Sequence, residues 1–292
     1  FSMDKVFLIT GIFCLAMLLR RTGVVRENHL GMVVRYVLTV SLPCLTLMTI
    51  AALDLRNAHF DIAVIGWTVM LAGAGASWGI GKLAGFAGAR LRVFMLVTTF
   101  PNTGFLGYPF AFALFGAAGL SYAVIYDQMG MFPIFVSLGF FIAGGKESLH
   151  HAIKFPPLIA LLAALALNGA GYMITDPAAR ILKGIGWTTL PLTIFIIGFR
   201  VRLMALRDYK PLVWCLAVRM LILPAILFVI LHLLGKSGIP YQVALMETAM
   251  PPALTTSILA LQYRLDNDLA VACISVGTVL SMVLFALAMV VQ

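Results

Sequence analysis

The chain has 292 residues, of which 62% are hydrophobic and 11% are charged, and its mean hydropathy is +1.05. This composition excludes a soluble globular protein, because too few polar residues remain to cover a surface that faces water. The formal net charge of +9 does not indicate nucleic-acid binding, because the basic residues form short clusters between apolar segments, as in membrane proteins. The four cysteines stand singly in apolar stretches and indicate neither disulfides nor a metal site.

Ten apolar segments follow one another along the chain, separated by charged or turn-forming residues. A bilayer core of about 30 Å requires about 20 apolar residues per helix, so each segment is a candidate transmembrane helix. The predicted spans 1 to 10 cover residues 4–19, 31–53, 61–83, 92–115, 119–144, 155–175, 185–203, 211–234, 240–263 and 268–291. The sequence therefore predicts an all-α membrane protein with ten transmembrane helices.

Lysine and arginine are distributed unequally between the two sets of loops. Thirteen of the 20 lie in loops that follow odd-numbered spans, whereas five lie on the opposite side and two, Arg35 and Arg219, lie within spans. Positively charged loops stay in the cytoplasm, so both termini are predicted to be extracytoplasmic. The five basic residues on the extracytoplasmic side are then Lys5, Arg56, Arg180, Lys183 and Lys236.

The chain matches itself at an offset of roughly 150 residues. SLPCLTL around Pro43 matches TLPLTIF around Pro191, and TTFPNTGFLG around Pro101 matches TAMPPALTTS around Pro251. Each copy has five spans, an odd number, so the second copy is predicted to be inverted. The predicted units are a first repeat, a short cytoplasmic linker and a second repeat, at residues 1–145, 146–154 and 155–292. All four prolines are expected to interrupt their spans.

Spans 4 and 9 contain the strongest helix-breaking stretches, at Pro101 and Pro251. By helical rise, Pro101 lies about 14 Å and Pro251 about 16 Å from the membrane surface, so both breaks fall near the midplane. Unwound backbone at that depth is tolerated only where it is buried in protein or lines a polar cavity. Inverted repeats with matched broken helices are typical of secondary transporters, whose substrate site lies where the breaks meet.

The helix segments that restart after each break present free N–H groups and a positive dipole end, which suits a carboxylate. Asn102 and Thr103 add donor side chains after the first break, and Thr255, Thr256 and Ser257 do so after the second. The alternative is a pair of proline kinks whose backbone groups are satisfied locally. The predicted substrate-binding residues are Pro101, Asn102, Thr103, Gly104, Pro251, Pro252, Thr255 and Thr256.

Ionisable residues inside the spans form a second group of candidates. A charge at bilayer depth costs at least about 2.5 to 3.5 kcal/mol and marks ion or proton paths. Glu247, one turn before Pro251, and Asp127, in the span after the first break, are predicted to bind a coupling cation. Arg219 is predicted to neutralise either acid or attract an anion, and a purely structural pair with a carboxylate is the alternative. Arg35 can snorkel to the cytoplasmic surface and receives no role.

The motifs FPNTGFLGYP, SLPCL, LPLTIFIIG and AMPPALTTSILALQY resemble those of bacterial members of the auxin efflux carrier family, over essentially the whole chain. The resemblance implies two inverted repeats, a scaffold of helices 1, 2, 6 and 7 that often forms a homodimer, and a transport domain of helices 3–5 and 8–10. In that domain, broken helices 4 and 9 cross. The resemblance also implies transport of organic anions, which are indole-3-acetate in plant relatives and malonate or malate in bacterial ones. It implies a location in the bacterial inner membrane.

The fold is also similar to that of the bile acid sodium symporters, which have a glutamate one turn before the second crossover, where this chain has Glu247. The similarity implies Na⁺ as a candidate coupling ion beside H⁺, although Pro251 and Pro252 replace the polar residues of those symporters. The predicted function is elevator-type secondary transport of small organic anions, without enzyme activity or an organic cofactor. The predicted partners are the anion, membrane lipid and a second copy. An anion-selective channel, or a uniporter without ion coupling, is the alternative.

Overall fold

Every regular element is helical in the described part of the chain, which comprises residues 3–53, 59–144, 155–202 and 208–291 of a computed structural model. The helices of the first half are α1 (Met3–Arg21), α2 (Glu27–Tyr36), α3 (Leu42–Ala51), α4 (Asp61–Leu83), α5 (Gly88–Thr99), α6 (Tyr108–Ile125), α7 (Phe132–Ile134) and α8 (Phe140–Ala143). Those of the second half are α9 (Pro156–Gly169), α10 (Ala178–Trp187), α11 (Thr189–Arg200), α12 (Lys210–Ala217), α13 (Leu223–Leu233), α14 (Ile239–Thr248), α15 (Leu254–Gln262) and α16 (Asn267–Val291). Wider π-helical segments continue or join some of them, at Val37–Ser41, Thr103–Gly107, Tyr126–Met131, Phe135–Gly139 and Val218–Ile222.

Six of the described helical runs are long and apolar enough to cross a bilayer. They are Glu27–Ala51, Asp61–Leu83, Thr103–Ala143, Ala178–Arg200, Lys210–Leu233 and Asn267–Ala288. The prediction of an all-α membrane protein is confirmed to this extent. The ten-span inverted repeat stays a prediction, and the predicted linker at 146–154 lies outside the described residues.

The predicted loop between spans 4 and 5 is replaced by a single kink. The helical run from Thr103 to Ala143 has 41 residues, and only Gly116 leaves helical geometry, with φ 66° and ψ −154°. Glycine adopts positive φ without the steric penalty of a side chain, so one residue is enough to redirect the helix. A straight helix of that length would measure about 60 Å, twice the thickness of the bilayer core, so the kink is what lets this run fit a membrane.

Pro43 and Pro191 do not open breaks in spans 2 and 7, contrary to the prediction. Each lies in the first turn of a helix, α3 or α11, which is the part of a helix that tolerates proline best. The π-helical segment before Pro43 keeps the run from Glu27 to Ala51 continuous. At this level Thr189 Oγ1 donates to Ser41 Oγ at 3.0 Å, so the two matching motifs contact each other.

Close helix packing and apolar outer faces account for the composition. Gly186 of α10 lies against the backbone of α3, and a Cβ there would come within 2.9 Å of Leu45 Cα. In contrast to this buried contact, α13 has an exposed apolar face that includes Phe228, Val229 and Leu233, with Leu233 78% exposed. An apolar stripe of this kind suits contact with lipid chains rather than with water.

Candidate functional site at the crossing of two interrupted helices

Two helices are interrupted where the sequence predicts breaks. The first, α5, ends at Thr99, and helical structure resumes at Thr103. The second, α14, ends at Thr248, and α15 resumes at Leu254. Proline removes a backbone donor and disfavours helical geometry in the residue before it, which explains why both helices stop just before a proline.

The two extended segments between these helices lie antiparallel against each other. Asn102 N donates to Pro251 O at 2.8 Å, and Ala253 N donates to Phe100 O at 2.8 Å. Pro101 and Pro252 face each other between these two hydrogen bonds. Each break therefore forms hydrogen bonds with backbone groups that the other break leaves unpaired. These bonds lower the free-energy cost of unwound backbone in an apolar environment.

A glycine on α16 allows this crossing to pack closely against the last helix. A Cβ at Gly277 would lie 2.9 Å from Pro251 Cβ and 3.0 Å from Pro252 Cδ. Distances this short require a shift of backbone or ring atoms, so any larger residue would push α16 away from the two prolines. The proline pair thus has a packing role in the structure.

A buried arginine binds the C-terminal ends of both interrupted helices. Arg219 is fully buried on the π-helical segment Val218–Ile222, and its Nη1 donates to Thr99 O at 2.7 Å. Its Nη2 donates to Thr248 O, the last carbonyl of α14. Each helix C-terminus carries about half a negative charge, so one guanidinium offsets two of them. In the described part of the chain no carboxylate lies within 4.0 Å of Arg219, so it contacts carbonyls rather than either candidate acid.

A cavity of about 250 Å³ adjoins the crossing. The first N–H groups of the restarted helix, at Thr103, Gly104 and Phe105, have no acceptor within that helix, and all three residues line the cavity. Asn102 Nδ2 and Thr255 Oγ1 are buried without hydrogen-bond partners. Buried polar groups without partners destabilise the protein, and a ligand that forms hydrogen bonds with them removes this cost.

The rest of the cavity lining is largely apolar and aromatic. It includes five phenylalanines: Phe105, Phe132, Phe135, Phe140 and Phe155. Val37, Leu38 and Leu42 of span 2 complete this wall. The phenylalanines were not predicted from the sequence. Three of them, Phe132, Phe135 and Phe140, are spaced three and five residues apart along span 5, but this spacing is also typical of ordinary core packing.

Five of the eight predicted substrate-binding residues line the cavity, namely Pro101, Asn102, Thr103, Gly104 and Thr255. Pro251, Pro252 and Thr256 do not line it. The two prolines belong to the antiparallel contact, and Thr256 Oγ1 donates to Ala253 O at 2.6 Å. Gln128, next to Asp127 on span 5, was not among the predicted residues, but it lines the cavity and has an unpartnered Oε1.

Asp127 lies in the cavity wall with its carboxylate well supplied with donors. Thr103 Oγ1 donates to Oδ1, while Tyr108 OH donates to Oδ2 at 2.7 Å and Gln128 Nε2 at 2.9 Å. Three donors suit the ionised form of a carboxylate, which only accepts hydrogen bonds. The Asp127 carboxyl group therefore has hydrogen-bond donors within the protein itself.

Glu247 has the opposite environment. It is fully buried, and neither carboxylate oxygen has a hydrogen-bond partner. A Cβ at Gly107 would overlap the Glu247 carboxylate, whereas a Cβ at Gly104 would lie 3.4 Å from Asp127 Oδ2. The segment Thr103–Gly107 thus separates the two acids, with one glycine facing each. An unpaired buried carboxylate is costly unless it takes up a proton or meets a cation.

Comparisons with known proteins identify the family of the chain. A family model described as membrane transport protein matches residues 1–289 of the chain. The chain belongs to this family. The predicted resemblance to the auxin efflux carriers is thereby confirmed, because the family includes them. Family membership also points to a transporter rather than an enzyme.

Two curated relatives of this membrane transport protein come from archaea. One, from Methanothermobacter thermautotrophicus, is 29% identical over 293 residues that cover 97% of this chain and 95% of the relative. The other, from Methanocaldococcus jannaschii, is 26% identical over 304 residues that cover 98% and 97%. Both are named uncharacterized transporters, so they support membrane transport without indicating a substrate.

The described residues of this membrane transport protein contain no group of three or more His, Cys, Asp and Glu side chains suited to a metal ion. The groups at the crossing are amide and hydroxyl donors, the Arg219 guanidinium, one hydrogen-bonded carboxyl group and one unpartnered carboxyl group.

Proposed function

We propose that this membrane transport protein is a secondary carrier of organic anions that works by alternating access. The observation that carries the proposal is the contact between two interrupted helices beside a cavity with unpartnered donors, at Asn102 and Thr255. Substrate sites of secondary transporters are built in this way, from the N-termini of half-helices and exposed backbone. The carboxylate would bind these donors and the first N–H groups after Asn102.

The finer architecture belongs to the same proposal. Ten spans in two inverted repeats would form a scaffold of spans 1, 2, 6 and 7, joined to a second copy, and a moving domain of spans 3–5 and 8–10. The crossing lies in the moving domain, and the cavity also contacts spans 2 and 7 through Leu42 and Thr193. Such a cavity supports elevator-type motion, because one wall carries the site and the other guides it. The proposed location is the plasma membrane, with both termini extracytoplasmic.

The cavity lining favours an anion with one polar group and an apolar body. The unpartnered polar groups belong to the crossing and to Gln128, whereas span 2 and the phenylalanines contribute apolar surface. A second carboxylate against those rings would be desolvated without a donor. Among the predicted substrates, a monocarboxylate such as indole-3-acetate therefore suits the cavity better than malonate or malate.

Glu247 is the proposed coupling site. Asp127 already has three donors, whereas Glu247 has none and needs a proton or Na⁺. A cation bound there would lie beside the segment that begins the substrate site, so it would offset the charge of the bound anion. This arrangement would link the two fluxes.

Counterflow in proteoliposomes tests the proposal. Labelled indole-3-acetate outside should exchange for unlabelled indole-3-acetate inside, and the exchange should fall at least about tenfold in Asn102→Ala, because a donor to the anion is lost. Ser257→Ala is the matched control, since Ser257 Oγ donates to Leu254 O and does not line the cavity. Wild-type exchange in Asn102→Ala would contradict the site. Flux without counterflow would indicate a channel instead.

A further inference from the structure

A second cavity of about 460 Å³ follows the same interface as the first. The first cavity meets span 2 at Leu42 and span 7 at Thr193, whereas the second meets them at Leu45 and Trp187. The second cavity is thus displaced toward the end of span 2 and the start of span 7. Span 2 is predicted to end on the extracytoplasmic side and span 7 to begin there. The second cavity therefore lies closer than the first to the side predicted to be extracytoplasmic.

Lys183 gives this second cavity its charge. It is the only charged residue among the described residues that line the cavity, and no carboxylate of the described chain lies within 4.0 Å of it. Arg180, one turn earlier on α10, differs because it pairs with Asp176 at 3.2 Å. Lys183 is exposed, so its unpaired charge attracts anions from solution through a field that salt screens.

Apolar and hydroxyl groups complete the cavity. Trp187 follows Lys183 by four residues on α10, so both side chains lie on one face of the helix. Met48 and Thr49 of α3 and Ser121 of α6 face them across the cavity. Phe112 of α6 packs edge-on against Trp187 with ring centroids 4.7 Å apart, which makes this wall a contact between the two proposed domains. A charged group beside an aromatic ring suits a ligand with a carboxylate and an apolar body.

We propose that this cavity is a second binding site for the transported organic anion, an outer subsite where Lys183 attracts the carboxylate and Trp187 contacts the apolar body. The inference rests on the proposed function, because it assigns the occupant as the transported anion. The subsite raises the local concentration of anion at the interface through which the carrier opens.

Removal, restoration and reversal of the positive charge at position 183 test the subsite. Lys183→Cys should raise the apparent KM for indole-3-acetate about fivefold from the side that Lys183 faces and leave it unchanged from the other side. Aminoethyl methanethiosulfonate, which adds a positive group to the cysteine, should restore the KM, and sulfonatoethyl methanethiosulfonate should raise it further. Arg180→Cys and the wild-type protein, treated with the same reagents, are the controls.

A second measurement needs no transport. Iodide, an anion, should quench the fluorescence of Trp187 about twofold less in Lys183→Gln than in wild type, whereas neutral acrylamide should quench both equally. The signal of Trp187 is the difference between each protein and its Trp187→Phe variant. Equal iodide quenching with an unchanged KM would overturn the subsite, even if Asn102→Ala still abolishes exchange.

The same measurements separate a free anion from a lipid headgroup. An effect of Lys183 that requires phosphatidylglycerol, and that is absent in phosphatidylcholine vesicles, would show that a lipid phosphate occupies the cavity and would overturn the assignment. Loss of exchange in both Asn102→Ala and Ser257→Ala would count against the proposed function instead. The quenching of Trp187 would then still decide whether Lys183 forms an anion site.

Discussion

Two buried carboxylates lie on either side of one short helical segment, and their surroundings differ. Asp127 accepts hydrogen bonds from Thr103, Tyr108 and Gln128, whereas both oxygens of Glu247 are unpartnered. Replacement of each acid by its amide should therefore have different consequences, although the two changes have the same chemistry.

Asp127→Asn should destabilise the protein by about 1 to 3 kcal/mol, because the new NH₂ group meets donors where the carboxylate accepted hydrogen bonds. Glu247→Gln should change stability by less than about 1 kcal/mol, since it removes no hydrogen bond. Glu247→Gln should also abolish uptake of the organic anion driven by a pH or Na⁺ gradient, while counterflow of the anion continues. Thermal unfolding in detergent and gradient-driven uptake measure the two effects. Gradient-driven uptake by Glu247→Gln would exclude Glu247 as the coupling site.

Gly107→Ala should destabilise the protein by about 1 to 3 kcal/mol, because the added methyl group overlaps the Glu247 carboxylate. The double variant Gly107→Ala with Glu247→Ala should be less destabilised than the sum of the single variants, since the overlap is then absent. Gly79→Ala on α4, where a Cβ meets nothing within 4 Å, is the control. Additive effects of the two single changes would argue against direct contact.

At the scale of the helices, one side chain closes two C-termini at once. Arg219 donates to Thr99 O of α5 and Thr248 O of α14, and it comes from a π-helical segment of a third helical run. A π-helical turn shifts the register of the side chains that follow it, and such turns are frequent at functional positions. The three runs are therefore expected to move as one body.

Arg219→Met should lower the stability of the crossing more than Arg219→Lys does, because methionine leaves the carbonyls of both helices unpaired in a buried site, at about 1 to 3 kcal/mol each. Amide hydrogen exchange should increase in residues 96–100 and 245–250, near the two helix ends. Arg202→Lys, at a residue that pairs with Glu27 on the surface, should leave exchange there unchanged. Exchange confined to only one of the two helix ends would show that Arg219 does not link them.

For the whole molecule, the contact between Phe112 and Trp187 joins the two proposed domains, whereas the Ser41–Thr189 hydrogen bond lies within the proposed scaffold. A bifunctional cross-link between Phe112→Cys and Trp187→Cys should therefore reduce counterflow to less than about one tenth, because the domains can no longer slide. A cross-link between Ser41→Cys and Thr189→Cys should leave counterflow intact. Normal exchange by the first cross-linked variant would contradict elevator motion.

The two breaks and their meeting were predictable from the sequence, whereas the partners of individual buried side chains were not. The breaks at Pro101 and Pro251 follow from proline inside an apolar run, a local effect, and both occur. The partner of Arg219 depends on residues about 30 and 120 positions away, so the sequence suggested an acid where the structure has carbonyls. Pro43 was expected to break its span because the compensating π-helical turn before it has no sequence signature.

The pair of hydrogen bonds between the two breaks also bears on how the chain is made. During translation the segment around Pro101 enters the membrane long before Ala253 and Pro251 leave the ribosome. Until then Asn102 N and Phe100 O lack their final partners, at a cost of several kcal/mol for each group exposed to lipid. We therefore expect the first half of the protein to reach its final packing only after the second half has been synthesised.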